Sequence, residues 1–194
     1  QNKPEFVPQS FTATIKLSDQ TKATLDGSLE DGIIPTVWQP SDKIKVLCKT
    51  MGWSNASFIN VSTETSETAL FEGMLPFSSS YIGLYPYNDN SMIEHSDWYG
   101  GYKLSFVIPE VQTYYPNTFD PSAAIMVAKS NDGVLEFKHL CGFLAVQMKG
   151  QEKVKTITFV PRDANGGSVH IAGEYCIGLE NINDGLQISV DGSV

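Results

Sequence analysis

The chain has 194 residues, 41% of them apolar, with a formal net charge of −9 and a sequence pI of about 4.7. A chain of this length can bury roughly 70% of its unfolded surface, so its core requires no disulfide or metal. The negative charge disfavours nucleic acid and anionic lipid headgroups as partners, because both are themselves anionic.

Short alternating segments run along the whole chain and predict β-strands rather than helices. Residues 11–17 alternate apolar and polar side chains, as a half-buried strand does. The segments are rich in Val, Ile, Thr, Phe and Tyr, which fit a pleated surface. The other predicted strands are residues 43–48, 57–61, 69–73, 81–87, 103–108, 124–128, 134–137, 142–148, 154–160, 168–172 and 186–190.

Turn-forming residues separate these segments. Residues 131–133 (Asn-Asp-Gly) and 165–167 (Asn-Gly-Gly) tolerate the positive φ angles that tight turns between strands require. One short helical turn is expected after Pro121, where Asp120 can cap the backbone. About a dozen short strands at this spacing favour an all-β domain, either a sandwich or a barrel with Greek-key connections.

The three cysteines, Cys48, Cys141 and Cys176, cannot all pair within one chain. Cys141 lies in an apolar run and is interpreted as a buried small hydrophobic residue. A Cys48–Cys176 disulfide would fit an oxidising compartment, although the sequence does not determine it. Zinc-ligand spacing is missing except for His139 beside Cys141, so we expect neither a metal nor another cofactor.

Catalytic signatures are missing as well. The sequence contains no G-x-S-x-G elbow, and the three histidines, His95, His139 and His170, follow no recognisable triad pattern. Acidic residues are plentiful and could include a catalytic pair of carboxylates, but acidic residues are also common in solvent-exposed loops. We therefore expect that the protein is not an enzyme.

An aromatic, glycine-containing segment covers residues 97–102. Its large side chains, Trp98, Tyr99 and Tyr102, are candidates for a surface that binds sugar rings or another subunit. The competing interpretation is that they fold back and cap the core, because large aromatic side chains usually bury most of their area.

Three longer motifs occur in a fixed order: Trp38-Gln-Pro-Ser-Asp-Lys-Ile44, Tyr85-Pro-Tyr87 and Phe119-Asp-Pro-Ser-Ala-Ala-Ile-Met-Val-Ala128. Through these motifs and the segments around them, residues 11–175 resemble the Bacteroidetes-type fimbrillin family of pilins and related surface lipoproteins. The resemblance implies a transthyretin-like Greek-key β-sandwich of about 7–12 short strands. Residues 1–10 would be an extended segment, 11–175 the sandwich, and 176–194 a closing strand or the start of a second domain.

The resemblance also implies a function, namely that of a structural or adhesive surface protein, as a fimbrial subunit or fimbria-associated component. Its partners would be other fimbrial subunits or host or bacterial surface ligands. The chain begins at Gln1 without methionine, and we expect that a targeting segment has been removed. Export as a lipoprotein, with the lipidated cysteine upstream of Gln1, would place the protein at the cell surface, in the outer membrane or in the fimbrium.

Family pilins assemble by strand exchange: a protease removes the first strand, and a terminal strand of a neighbour fills the groove, which is β-augmentation. The resemblance assigns the exchangeable strand to Phe11, Ala13, Ile15 and Leu17. Where family pilins carry an arginine cleavage site, this chain offers Lys22 as the candidate. The alternative function is a non-polymerising surface lipoprotein that binds glycans or other ligands.

Overall fold

A computed structural model of the chain describes residues 4–15, 36–50, 52–96, 101–115, 119–143, 146, 150, 153–180 and 187–190. The described residues form eleven β-strands and one turn of 3-10 helix, so the predicted all-β class is confirmed. The strands are β1 (Val7–Ile15), β2 (Lys43–Lys49), β3 (Trp53–Asn60), β4 (Thr68–Leu75), β5 (Tyr81–Tyr85), β6 (Met92–Ser96), β7 (Gly101–Ile108), β8 (Met126–Ser130), β9 (Val134–His139), β10 (Gly173–Glu180) and β11 (Gln187–Val190).

Seven of the strands close into a barrel in the order β1-β4-β3-β2-β5-β8-β9. Neighbouring strands are antiparallel, except that β1 and β9 are parallel where they close the barrel. The other four form an antiparallel sheet in the order β11-β10-β7-β6. The strand pattern allowed a sandwich or a barrel, and the resemblance implied a transthyretin-like sandwich. The observed pairing is that of a closed barrel beside a second sheet.

The barrel interior is filled mainly by aromatic side chains around Trp38. The indole packs edge-to-face against Phe71, Tyr85 and Phe137, with ring centroids 5.0, 5.3 and 5.2 Å away. All of these residues belong to one buried cluster. Aromatic pairs prefer this tilted geometry because the positive edge of one ring meets the negative face of the other.

A second core lies between the barrel and the four-stranded sheet. Alternation along β2 shows how it forms: Val46 and Cys48 belong to the interior cluster, whereas Leu47 belongs to the second cluster. From the other side, β7 contributes Leu104 and Phe106. Strands β2, β5 and β8 are therefore buried on both faces, and the second sheet covers one side of the barrel.

The short helical turn is present where the sequence predicted it. A 3-10 turn covers Pro121–Ala123, and the Asp120 carboxylate accepts a hydrogen bond from the Ser122 backbone N–H at 2.9 Å. Its other oxygen accepts one from the Thr113 backbone N–H at 2.7 Å. These bonds join two parts of the connection between β7 and β8 and fix its shape.

Two predicted strands, residues 154–160 and 168–172, are wrong. Both segments lie outside every described sheet, and the turn between them is closed by an isolated bridge between Arg162 and Ser168. Ile157 and Phe159 keep about half of their surface exposed, at 47% and 49%. Alternation identifies a segment that could form a strand, but a strand also needs a hydrogen-bonded neighbour, and the pattern cannot show one.

Two observed strands, β6 and β10, were not predicted. β6 contains Glu94 and His95, and β10 contains Gly178, residues that are poor indicators of strand in isolation. Pairing on both sides of β7 determines these strands. The predicted strand at 142–148 falls mostly outside the described residues.

The cysteines are free thiols, and the considered Cys48–Cys176 disulfide is not formed. Cys48 lies in the barrel interior, whereas Cys176 lies in β10, where its Sγ is 3.4 Å from Ser105 Oγ. The two residues belong to different layers of the fold. Cys141 is only half-buried and packs against the second core.

Candidate strand-exchange site

Strand β1 links two strands of the barrel that no other described strand joins. It is antiparallel to β4 from the Val7–Leu75 pair to the Thr14–Thr68 pair. On its other side it is parallel to β9 from the Thr12–Val134 pair to the Ile15–Phe137 pair. Without β1 the barrel would open, and both β4 and β9 would expose a row of unpaired backbone N–H and C=O groups.

The inward face of β1 is part of the barrel core. Phe11 is 1% exposed, and its ring packs edge-to-face against Phe58 at 5.2 Å and Tyr81 at 4.8 Å. Ala13 is 0% exposed, and Ile15 packs against the same cluster while remaining half-buried. Three of the four predicted exchange residues thus share one face, and the fourth, Leu17, lies outside the described residues.

Polar contacts fix β1 in its register. The Trp38 indole N–H donates to the Ala13 carbonyl at 3.1 Å. The Gln9 side-chain amide donates to the carbonyls of Leu75 at 2.6 Å and Pro76 at 3.0 Å. A one-residue slip would turn the apolar face of the strand toward solvent and break these contacts, so a single register is strongly preferred.

Gly73 in β4 leaves room for the Phe58 ring beside the groove that holds β1. A Cβ atom at this position would lie 2.8 Å from the Phe58 ring and 2.8 Å from the Ser57 carbonyl oxygen. Such an approach is much shorter than van der Waals contact, so only glycine fits without a shift of the neighbouring strand. Gly73 is paired with Gln9 of β1, which places this close contact beside the exchangeable strand.

Lys45 is a buried lysine whose side chain binds backbone carbonyl groups of a neighbouring loop. Its ammonium group donates to the carbonyls of Asn88 at 3.0 Å, Asp89 at 3.1 Å and Ser91 at 2.5 Å. Burial lowers the pKa of Lys45. Three carbonyls match the three N–H donors of an ammonium group, so this side chain ties the loop after β5 to strand β2.

His139 ends β9 and is packed among aromatic rings. Its Nε2 lies 3.3 Å from Thr36 Oγ1, and its ring contacts Phe119 and Phe143 edge-on at 6.4 and 5.0 Å. Burial lowers the pKa of His139 to about 4. The imidazole is therefore neutral at neutral pH.

The remaining predicted site residues are not gathered at β1. Lys22, Trp98 and Tyr99 lie outside the described residues. Tyr102 lies in β7, where it pairs with His95 of β6. Sequence reasoning missed the roles of Gln9, Trp38 and Gly73 at β1. Trp38 was identified only as part of a motif, and a tryptophan in a motif does not reveal which carbonyl its N–H will reach.

Within the described part of the chain, no group of three or more His, Cys, Asp or Glu residues is placed to hold a metal ion. None of the helical structure described is long and apolar enough to cross a membrane. Comparison of the chain with protein-family models, with curated proteins and with solved structures gave no match. The likeness to fimbrillins therefore rests on the sequence motifs alone.

Proposed function

We propose that the chain is a structural or adhesive cell-surface protein of the fimbrillin type, in which β1 is an exchangeable strand. The observation that carries the proposal is the position of β1 between β4 and β9. A strand from another molecule could make the same main-chain bonds, because backbone pairing does not depend on which chain supplies it.

The energetics of an empty groove favour such an exchange. Removing β1 would leave the sites of Phe11 and Ala13 open to water and two sheet edges unpaired. Burying one phenylalanine side chain contributes about 1.5–3 kcal/mol, and each unpaired buried backbone group costs a further ~1–3 kcal/mol. A molecule that lost β1 would therefore bind a replacement strand with the same alternation.

We also propose that the two layers are a variant of the transthyretin-like Greek-key sandwich. Its support is the second core, where Leu47, Ile82 and Leu84 of the barrel pack against Leu104 and Phe106 of the other sheet. Other fimbrial subunits or host or bacterial surface ligands would be the partners. Lipid anchoring upstream of Gln1 would place the protein at the cell surface. A catalytic role is not proposed.

The experiment compares the full chain with a variant that lacks residues 1–15. Alone, the variant should show a reduced unfolding midpoint and altered fluorescence from the Trp38 cluster. Adding a peptide of residues 4–15 should restore both signals, whereas the same peptide with Phe11→Ala should be much weaker. A variant that has the native midpoint and fluorescence without any peptide would overturn the proposal, because β1 would then contribute nothing to the barrel.

A further inference from the structure

We infer that the β1 groove selects its strand by size at one position: it accepts a small residue where Ala13 lies, and Trp38 imposes this limit. The inference rests on the proposed strand exchange and names the feature that a donor strand must have. It also identifies the donor that fits, which is residues 11–15 of a second copy of this chain.

The site of Ala13 is enclosed on every side that the structure describes. Ala13 is paired with Ala69 of β4 and with Leu135 of β9, and all three are buried. The Trp38 indole N–H donates to the Ala13 backbone carbonyl at 3.1 Å, and Trp38, Ala13 and Ala69 belong to the same buried cluster, which therefore combines the largest side chain of the core with two of its smallest. This arrangement of large against small is how closely packed cores fill space.

Trp38 has little freedom to move away from Ala13. Its backbone pairs with Ser66 through hydrogen bonds of 2.8 and 3.2 Å, just before β4 begins. Its ring is held by Phe71, Tyr85 and Phe137 at centroid distances of 5.0–5.3 Å. A larger side chain at position 13 would therefore have to displace a closely packed part of this cluster, and overpacking of this kind destabilises a core.

The neighbouring positions have different requirements. At position 11 an aromatic ring fills the space between Phe58 and Tyr81, so a smaller side chain would leave a cavity. At position 15 the side chain is only half-buried, so several aliphatic residues would fit. The groove therefore selects the pattern aromatic, any residue, small, any residue, aliphatic.

This pattern distinguishes between two strands of the chain itself. Residues 11–15 read Phe-Thr-Ala-Thr-Ile and match it at each position, whereas residues 186–190 read Leu-Gln-Ile-Ser-Val. Aligning the latter with β1 places Ile188 at the site of Ala13, and a shift by two residues places Val190 there. Both side chains are too large, so the donor is β1 of a second copy that still carries its first strand, and residues 186–190 are not the donor.

The first measurement is a double-mutant cycle in the intact chain, with Ala13→Leu, Trp38→Leu and both together, followed by urea unfolding. Ala13→Leu should raise the unfolding equilibrium constant in both backgrounds. We expect the factor to be at least about tenfold smaller in the Trp38→Leu background than in the parent, which is equivalent to ~1.4 kcal/mol of coupling. Phe106→Leu, in the second core, is the matched control and should not relieve Ala13→Leu. Equal cost in all backgrounds would overturn the inference. If Ala13→Leu does not fold, Ala13→Val serves in the same cycle.

The second measurement follows uptake of labelled peptides of residues 4–15 by the full chain, held just below its unfolding transition. The wild-type peptide should be incorporated at least about tenfold more than the Ala13→Leu peptide, and the difference should shrink with the Trp38→Leu chain. Equal uptake of both peptides by the wild-type chain would overturn the size limit while leaving strand exchange intact. Uptake of neither peptide, with the coupling present, would support the size limit and overturn strand exchange.

Discussion

Replacing Phe11 with alanine should lower the free energy of unfolding by ~3–5 kcal/mol, the usual cost of deleting a buried aromatic ring. The magnitude follows from the structure: the ring is 1% exposed and packs against Phe58 and Tyr81 at 5.2 and 4.8 Å. Each edge-to-face pair contributes ~0.5–1.5 kcal/mol beyond burial. Phe11 is also at the centre of a strand that closes the barrel, so the cavity cannot collapse without moving β4 or β9.

The assay is urea unfolding of the full chain, read by fluorescence and far-UV circular dichroism. The midpoint should fall while the dependence on urea stays the same, because the surface exposed on unfolding hardly changes. Phe77→Ala is the control, since Phe77 is 76% exposed and its loss should change stability by no more than about 0.5 kcal/mol. If Phe11→Ala were as mild as Phe77→Ala, β1 would not be the strand that closes the barrel.

Three further predictions concern other parts of the fold. Lys45→Met should lower the unfolding free energy by ~1–3 kcal/mol or more, because three loop carbonyls lose their donor; stability unchanged in urea titration would show that the ammonium contacts are not formed. Gly73→Ala should cost ~1–3 kcal/mol through overpacking against Phe58, and a melting temperature equal to that of the parent would contradict this close approach. Because the pKa of His139 is lowered to about 4, the unfolded chain binds a proton that the folded chain does not as pH falls from about 6.5 to 4. Stability should therefore fall across that window and fall less in His139→Gln, with the exposed residue substitution His170→Gln as control; identical pH profiles of parent and His139→Gln would contradict the assignment.

The all-β class and most barrel strands could be predicted because their signals are local. Alternation in residues 11–17 and 43–48 anticipated β1 and β2, and Asp120 before Pro121 anticipated the capped turn. These features depend on residues that are close together in the sequence, so the local sequence pattern is enough to predict them.

Closure of the barrel could not be predicted in the same way. It depends on the parallel pairing of β1 with β9, more than a hundred residues further along the chain. Likewise, the contact of the Trp38 indole with the Ala13 carbonyl joins residues 25 positions apart, and no local pattern specifies it. The same limit explains the failure at 154–160, where an alternating segment has no described partner strand.

The most direct test of strand exchange is a crosslink between two copies of the chain. Ser10 of β1 and Glu72 of β4 are paired neighbours, and both side chains are exposed. Ser10→Cys and Glu72→Cys are made in separate chains, mixed under assembly conditions and oxidised, with the parent chain as control for the native cysteines. Strand exchange predicts a disulfide-linked dimer that contains one chain of each kind. A chain that carries both substitutions serves as a second control. If a disulfide formed within that chain but none formed between chains in the mixture, strand exchange would be contradicted.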